Sequence, residues 1–289
     1  MTVRTPSPSR QSFGRYDMNY ETILLNYPVD GVALVTLNRP DRGNGVVPAM
    51  ARDLLDALNI LEADFDCKVL VITGAGRQFC AGADLVEFQD YLANGQSESQ
   101  EPYNARVLFP VTQKIASCRL PAIAAINGGA TAGGLDLALA CDIRLASDVA
   151  KFGETYIKLG LNPGNGGTYF LPRLVGSGMA AEMALTGDLY GADAALAMGL
   201  VNKVVPPESL VPQALALAAR IAERPRLALE ATKQQLRQSW HVDLASSMNT
   251  SFWAVAALNY SDDLREGVAA ALGKRPPEFG KRQKPPTAD

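Results

Sequence analysis

The feature that most limits what this chain can fold into is its alternation of two hydrophobic periods. Short apolar or β-branched runs at residues 22–26, 31–37, 69–73, 121–126 and 143–146 read as strands. Between them lie longer stretches with apolar residues at helical spacing: 48–65, with Met50, Leu54, Leu55, Leu58 and Leu61, then 107–117 and 133–140. Pro28 and Asp30 mark a turn between the first two runs, so the chain should open on a hairpin. The later strand–helix–strand order predicts an α/β fold with a largely parallel sheet. From Ser209 onward strand signals fade, and helical spacing dominates at 210–223, 227–238, 244–258 and 261–272. The expected organisation is a tail over 1–18, an α/β core over 19–208, a C-terminal helical region over 209–280 and a second tail over 281–289. With 289 residues and 47% hydrophobic content, the chain has enough apolar surface for one large core.

Several function classes are disfavoured at once. The formal net charge is -3 and Lys and Arg are scattered, so no nucleic-acid footprint is expected. No apolar stretch is long enough to span a bilayer, and residues 1–17 hold Ser, Pro and Arg rather than the apolar run of a secretory signal. Cys67, Cys80, Cys118 and Cys141 lack the spacing of a zinc site, and the sole histidine, His241, cannot complete a metal set with them. This implies no metal and a reducing, cytoplasmic setting. Cys80 reads as a small buried side chain rather than a nucleophile, since no histidine is near in sequence to activate it.

Three glycine-bearing segments stand where strand should give way to helix: 79–84 (FCAGAD), 127–136 (NGGATAGGLD) and 162–167 (NPGNGG). A helix N-terminus leaves amide hydrogens unpaired, and two such termini converging on one oxygen would stabilise an anion there. For each segment alone, a turn or a close helix–sheet contact is the reading placed first. None is a P-loop or a dinucleotide fingerprint. The polar stretch over 85–104 is expected to be a loop, either beside a site or a plain surface insertion.

Asn38-Arg39-Pro40, Val71-Ile72-Thr73-Gly74, Phe79 to Leu85, Pro121 to Gly128, Gly133-Gly134, Ala140 to Arg144 and Gly166-Gly167-Thr168 stand in the order and spacing of enoyl-CoA hydratases. The chain therefore resembles the crotonase superfamily from about residue 20 to 279. The resemblance implies a crotonase-like (ClpP/crotonase) spiral of β-β-α units with a C-terminal helical region. It also implies an acyl-CoA thioester substrate, with coenzyme A as part of the substrate and no separate cofactor, and a homotrimer or dimer of trimers. By the same resemblance the amides of Ala83 and Gly133 form an oxyanion hole for the thioester carbonyl. Ala81, Asp84, Gly134 and Gly164 are the further substrate-binding candidates.

The acid/base groups depart from that pattern. Hydratases of the family carry a glutamate three residues after the oxyanion glycine and a second before the third glycine segment, whereas Asp136 and Tyr156 stand at those positions here. Asp136 is the candidate acid/base, one methylene shorter than glutamate. Tyr156, whose phenol is protonated near neutral pH, suits a proton donor, an orienting group or a wall of the pocket. Glu154 would share a side with Tyr156 on an extended segment and point away on a helix. A solvated glutamate, or one paired with a nearby cation, is placed ahead of a substitute acid. Asn165 is read as a turn residue ahead of a substrate ligand, and His241 as packed or surface. The default activity is that of a 2-enoyl-CoA hydratase or enoyl-CoA isomerase. A decarboxylase or C–C hydrolase of a β-keto or malonyl-type thioester, and a catalytically poor acyl-CoA-binding subunit, are the alternatives.

Overall fold

In the computed structural model, which describes residues 19–93 and 107–280, β1 (Ile23–Val29) and β2 (Val32–Leu37) pair as the opening antiparallel hairpin. Helix α1 (Pro48–Ala63) then leads into β3 (Val69–Gly74), which runs parallel to β2. From there the chain repeats one pattern: a strand in a six-stranded sheet, a short strand in a second sheet, then a helix. The first turn is β3, β4 (Gln78–Cys80) and α2 (Leu85–Ala93). After α3 (Phe109–Ser117) the second is β5 (Ala122–Ile126), β6 (Gly129–Thr131) and α4 (Gly133–Ala140). The third is β7 (Ile143–Ser147), β8 (Lys151–Gly153), a 3-10 segment over Thr155–Leu159 and α5 (Gly167–Val175). Next come α6 (Ser177–Thr186), β9 (Tyr190–Gly191), α7 (Ala192–Ala197) and β10 (Lys203–Val205). The chain continues as α8 (Pro207–Ala222), α9 (Arg226–Gln238), α10 (Leu244–Leu258) and α11 (Asp262–Leu272).

The larger sheet runs β1-β2-β3-β5-β7-β10 and is parallel from β2 onward, whereas the smaller runs β4-β6-β8-β9. The larger is buried on both faces, and the period of two divides its residues between two cores. Leu70, Ile72, Ala122 and Ala124 face the main core with α1 and α3; Val69, Val71, Ile123 and Ala125 face Leu210, Ala214 and Ala218 of α8. Helix α8, counted with the C-terminal helices on sequence, thus covers one face of this sheet.

The smaller sheet is absent from the sequence reading because strands of two or three residues carry no periodic signal. Residues 85–93, expected as part of a loop, are helical. Asp84 caps this helix, its Oδ1 accepting from the amides of Val86 and Glu87. The remainder of that expected loop, 94–104, and both expected tails, 1–18 and 281–289, lie outside the described residues.

Candidate active site

The short strands bring two of the glycine segments together. Gly82, at φ +97°, sits so close to the start of α4 that a Cβ on it would lie 3.1 Å from the Gly133 nitrogen. Ala83 forms an isolated parallel bridge with Val46, in which Val46 N donates to Gly82 O at 2.7 Å and Asp84 N donates to Val46 O at 3.2 Å. That pattern turns the Ala83 amide to the opposite edge, where no acceptor among the described residues takes it. Gly133 opens α4, and its amide has no intrahelical partner either. It is aimed by Ala132, which takes φ 47° and ψ -124°, a conformation that costs a side-chain-bearing residue roughly 1–3 kcal/mol. The Ala132 amide is pinned to Gly153 O of β8 at 2.9 Å, so the turn is held by the small sheet.

A cavity of about 470 Å³ reaches Ala83 and Ala132, the residue before Gly133, and is lined also by Ala81, Thr131 and Tyr156, with Arg42 and Lys158 on its wall. Two unpaired amides beside a cavity are an arrangement that can hold a developing oxyanion.

Behind Tyr156 lies a cluster that holds no cation among the described residues. Tyr156 Oη donates to Asp136 Oδ2 at 2.6 Å, and Asn165 Nδ2 donates to Tyr156 Oη at 2.6 Å. Asp136, on the first turn of α4, is 0% exposed, and so is Glu154, which precedes the 3-10 segment. Glu154 and Asp136 are within hydrogen-bonding reach of each other, and a Cβ on Gly167 would collide with both carboxyl groups. Burial raises the Asp136 pKa, partly offset by the Tyr156 hydrogen bond. Burial and then the charge of Asp136 raise Glu154. The same two causes hold the Tyr156 phenol well above its ordinary value, so it stays protonated.

The structure therefore brings Ala81, Ala83, Gly133, Asp136 and Tyr156 together, and it gives the other expected residues different surroundings. Asp84 lines the cavity, but its carboxylate is committed to the fold. Although burial opposes its charge, Oδ2 pairs with Arg39 at 2.9 Å and Oδ1 takes two amides, which lowers its pKa. Gly134 serves packing, because a Cβ there would run into the Cys80 carbonyl of β4. Gly164 is exposed on its turn and lines neither described cavity. Asn165, expected as a turn residue, points inward to Tyr156 and is 1% exposed. Glu154 is neither solvated nor paired with a cation. The spacing of two from Tyr156 raised it, but a glutamate on paper carries no sign that it is buried. Cys80 is buried and its thiol is pushed up to about 12 by desolvation, which leaves it unreactive.

Comparison with known proteins agrees with this geometry: residues 29–282 match the enoyl-CoA hydratase/isomerase family. The chain belongs to that family. It is 37% identical over 267 residues to crotonyl-CoA hydratase of Syntrophomonas wolfei, covering 91% of this chain and 99% of the relative. It is 39% identical over 249 residues to 2,3-dehydroadipyl-CoA hydratase of Escherichia coli, covering 86% and 94% respectively. The crystal structure of enoyl-CoA hydratase from Bacillus anthracis superposes with a TM-score of 0.84 at 34% identity, covering 89% of this chain and 98% of that one. The fold is accordingly the crotonase-like spiral of β-β-α units followed by C-terminal helices, as the resemblance implied.

On the far side of Asn165 the family scaffold carries a second cavity of about 500 Å³, lined by Phe109, Gln113, Tyr169, Phe170, Arg237 and His241. His241 is exposed, stacks on Tyr169 and shares a 2.6 Å hydrogen bond with its hydroxyl, which fits the surface reading. Among the described residues no group of His, Cys, Asp and Glu could hold a metal ion, and no helix is long and apolar enough to cross a membrane.

Proposed function

We propose that this chain takes an acyl-CoA thioester and passes it through an enolate, acting as a 2-enoyl-CoA hydratase or enoyl-CoA isomerase. The observation that carries the reading is the pair of unpartnered amides at Ala83 and Gly133 beside the same cavity wall as Tyr156 and its hydrogen-bonded partner Asp136. The thioester carbonyl would accept both amides, which strengthens as charge moves onto oxygen; losing one such donor costs on the order of 3 kcal/mol of transition-state stabilisation. Arg42 and Lys158 on the wall suit the phosphates of coenzyme A, and no further cofactor is required. Asp136, reached through Tyr156, accepts or returns the proton of the carbon next to the carbonyl.

One observation favours a second reading. Of the acid/base candidates, the one lining the cavity is the Tyr156 phenol, with Asp136 and Glu154 behind it. A decarboxylase or C–C hydrolase makes its enolate by losing a carboxyl or acyl group, and then needs a proton donor more than a base. Mass spectrometry of the products from enoyl-, dienoyl- and malonyl-type CoA thioesters in heavy water separates the two. Addition of water, or deuterium uptake without it, abolished in Asp136→Asn, supports the first reading; loss of carbon dioxide or an acyl fragment supports the second. Ligand binding without turnover of any thioester would favour a binding subunit and sink both.

We further propose that the protein is a homotrimer or a pair of trimers, set in a reducing cytoplasm that suits its free cysteines. Support comes from α10 and α11, which leave Met248, Phe252, Trp253, Val268 and Leu272 more than half exposed. A monomeric sedimentation mass would contradict it.

A further inference from the structure

Glu154 is absent from the acid/base pair discussed so far, yet it is one of the most completely buried carboxyl groups in the molecule. It is 0% exposed, and among the described residues no N–H or hydroxyl donates to either of its oxygens. Asp136 Oδ1 is unpartnered in the same way. Among the described residues neither carboxylate forms an ion pair, so no cation compensates two negative charges in this buried space. A single proton resolves the conflict: on Glu154 it becomes a donor to Asp136 Oδ1, and the pair carries one charge rather than two.

We infer that Glu154 is a positioning residue for proton transfer, holding a proton that it donates to Asp136, so that Asp136 faces Tyr156 as a single, oriented base. The inference rests on the acyl-CoA reading above. Tyr156 is the link to the substrate. Its oxygen donates to Asp136 Oδ2 and accepts from Asn165 Nδ2, which leaves one lone pair. That hydroxyl lies 3.2 Å from where a Cβ on Gly133 would stand, beside the amide expected to hold the thioester oxygen. The step then balances. The bond between the α-carbon and its hydrogen breaks and the proton goes to Tyr156 Oη, while the proton already on Tyr156 passes to Asp136 Oδ2. The electron pair moves into the enolate, and the charge leaves the carboxyl pair for the oxygen held by Ala83 and Gly133.

The groups facing the pair are few. Asp136 comes from α4, Glu154 and Tyr156 from the segment after β8, and the Asn165 side chain with the backbone amides of Asn165 and Gly167 from the turn into α5. Asp136 is the titratable group that raises Glu154, and Glu154 in turn acts on Tyr156. Gly167 is the residue that leaves room for both carboxyls, and the collision that a Cβ there would cause ties the third glycine segment to this arrangement.

The test uses the intact protein in two measurements. Infrared difference spectra of the free protein at pH 7 should show the carbonyl band of a protonated carboxylic acid that Glu154→Gln removes; its absence from the unsubstituted protein would overturn the inference. The second measurement is exchange of the α-hydrogen of butyryl-CoA in heavy water across pH 5–10. Glu154→Gln, which keeps a neutral donor, should retain the rate within about threefold and lose the alkaline limb of the profile. Glu154→Leu should lose roughly tenfold or more in kcat with KM little changed, since misplacing a reacting group by about 1 Å costs up to a hundredfold. A Glu154→Leu protein with the original rate and pH profile would overturn the positioning role. If the unsubstituted protein shows the infrared band but exchanges no thioester, the relay and the acyl-CoA reading fall together, while a missing band with normal exchange sinks only the role of Glu154.

Discussion

Two aspartates six residues apart, one on α4 and one just after it, have opposite surroundings. Asp142 is surrounded by positive groups: Lys233 Nζ at 3.0 Å and Arg237 at 2.9 Å, both from α9, with the Ala122 amide at 2.8 Å. Lys233 is itself 6% exposed and also donates to the carbonyls of Ile115 and Leu120, so this ion pair fastens α9 to the end of α3 and the start of β5. Asp136 has a phenol on one oxygen and a second carboxyl facing the other. A paired charge holds its place at the cost of being unavailable, whereas a buried one without a cation is ready to accept a proton. The difference teaches which of two identical side chains the fold uses as a fastener and which it keeps for chemistry.

Substitutions at the two positions should separate cleanly. The largest effect is expected for Asp136→Asn, with turnover of the preferred thioester reduced at least about a hundredfold and denaturant stability equal to or above that of the unsubstituted protein. A clear loss of stability there would make Asp136 a fastener too. Gly167→Ala comes next: the added methyl pushes Asp136 and Glu154 apart, and about 1–3 kcal/mol of stability should be lost together with activity, as urea unfolding and steady-state kinetics on one preparation would reveal. Asp142→Asn should do the reverse of Asp136→Asn. It strands Lys233 and weakens the fold by about 1–3 kcal/mol, with kcat of the folded fraction unchanged.

A smaller effect is set by pH. Glu154 is raised from 4.5 to about 9, by burial first and the charge of Asp136 second, so the folded protein holds a proton across that window that the unfolded chain has released. Stability supplied by this proton is complete below about 4.5 and is lost as pH rises toward 9, with a slope of at most about 1.4 kcal/mol per pH unit. Unfolding curves at pH 5, 7 and 9 should show the decline, and Glu154→Gln should flatten it between pH 7 and 9, above the range in which the raised Asp136 also contributes. The smallest effect is expected at His241→Ala, where an exposed ring and one hydrogen bond to Tyr169 are removed; melting should shift by little.

Much of the fold was legible because its signals are local. The runs at 69–73 and 121–126 needed only their apolar character to become β3 and β5, and Leu210, Ala214 and Ala218 needed only helical spacing to become the buried face of α8. The motifs also placed Ala83, Gly133, Asp136 and Tyr156 in one family register. The helix over Leu85–Ala93 was missed because its start depends on Asp84 acting as a cap, a contact hidden among the polar residues around it.

What the sequence by itself determined is the set of chemical parts and the order in which they occur: parallel strands, helix N-termini at glycine turns, an aspartate and a tyrosine where two glutamates are usual. Only the tertiary structure decided their environment. Whether a carboxylate meets a cation, water or another carboxylate depends on side chains that arrive from distant elements. Asp142 meets Lys233 and Arg237 from α9, and Asp136 meets Glu154 from beyond β8 across the gap left by Gly167. Charge and burial act through space, so two aspartates written alike along the chain become a fastener and a base only once the strands and helices have closed around them.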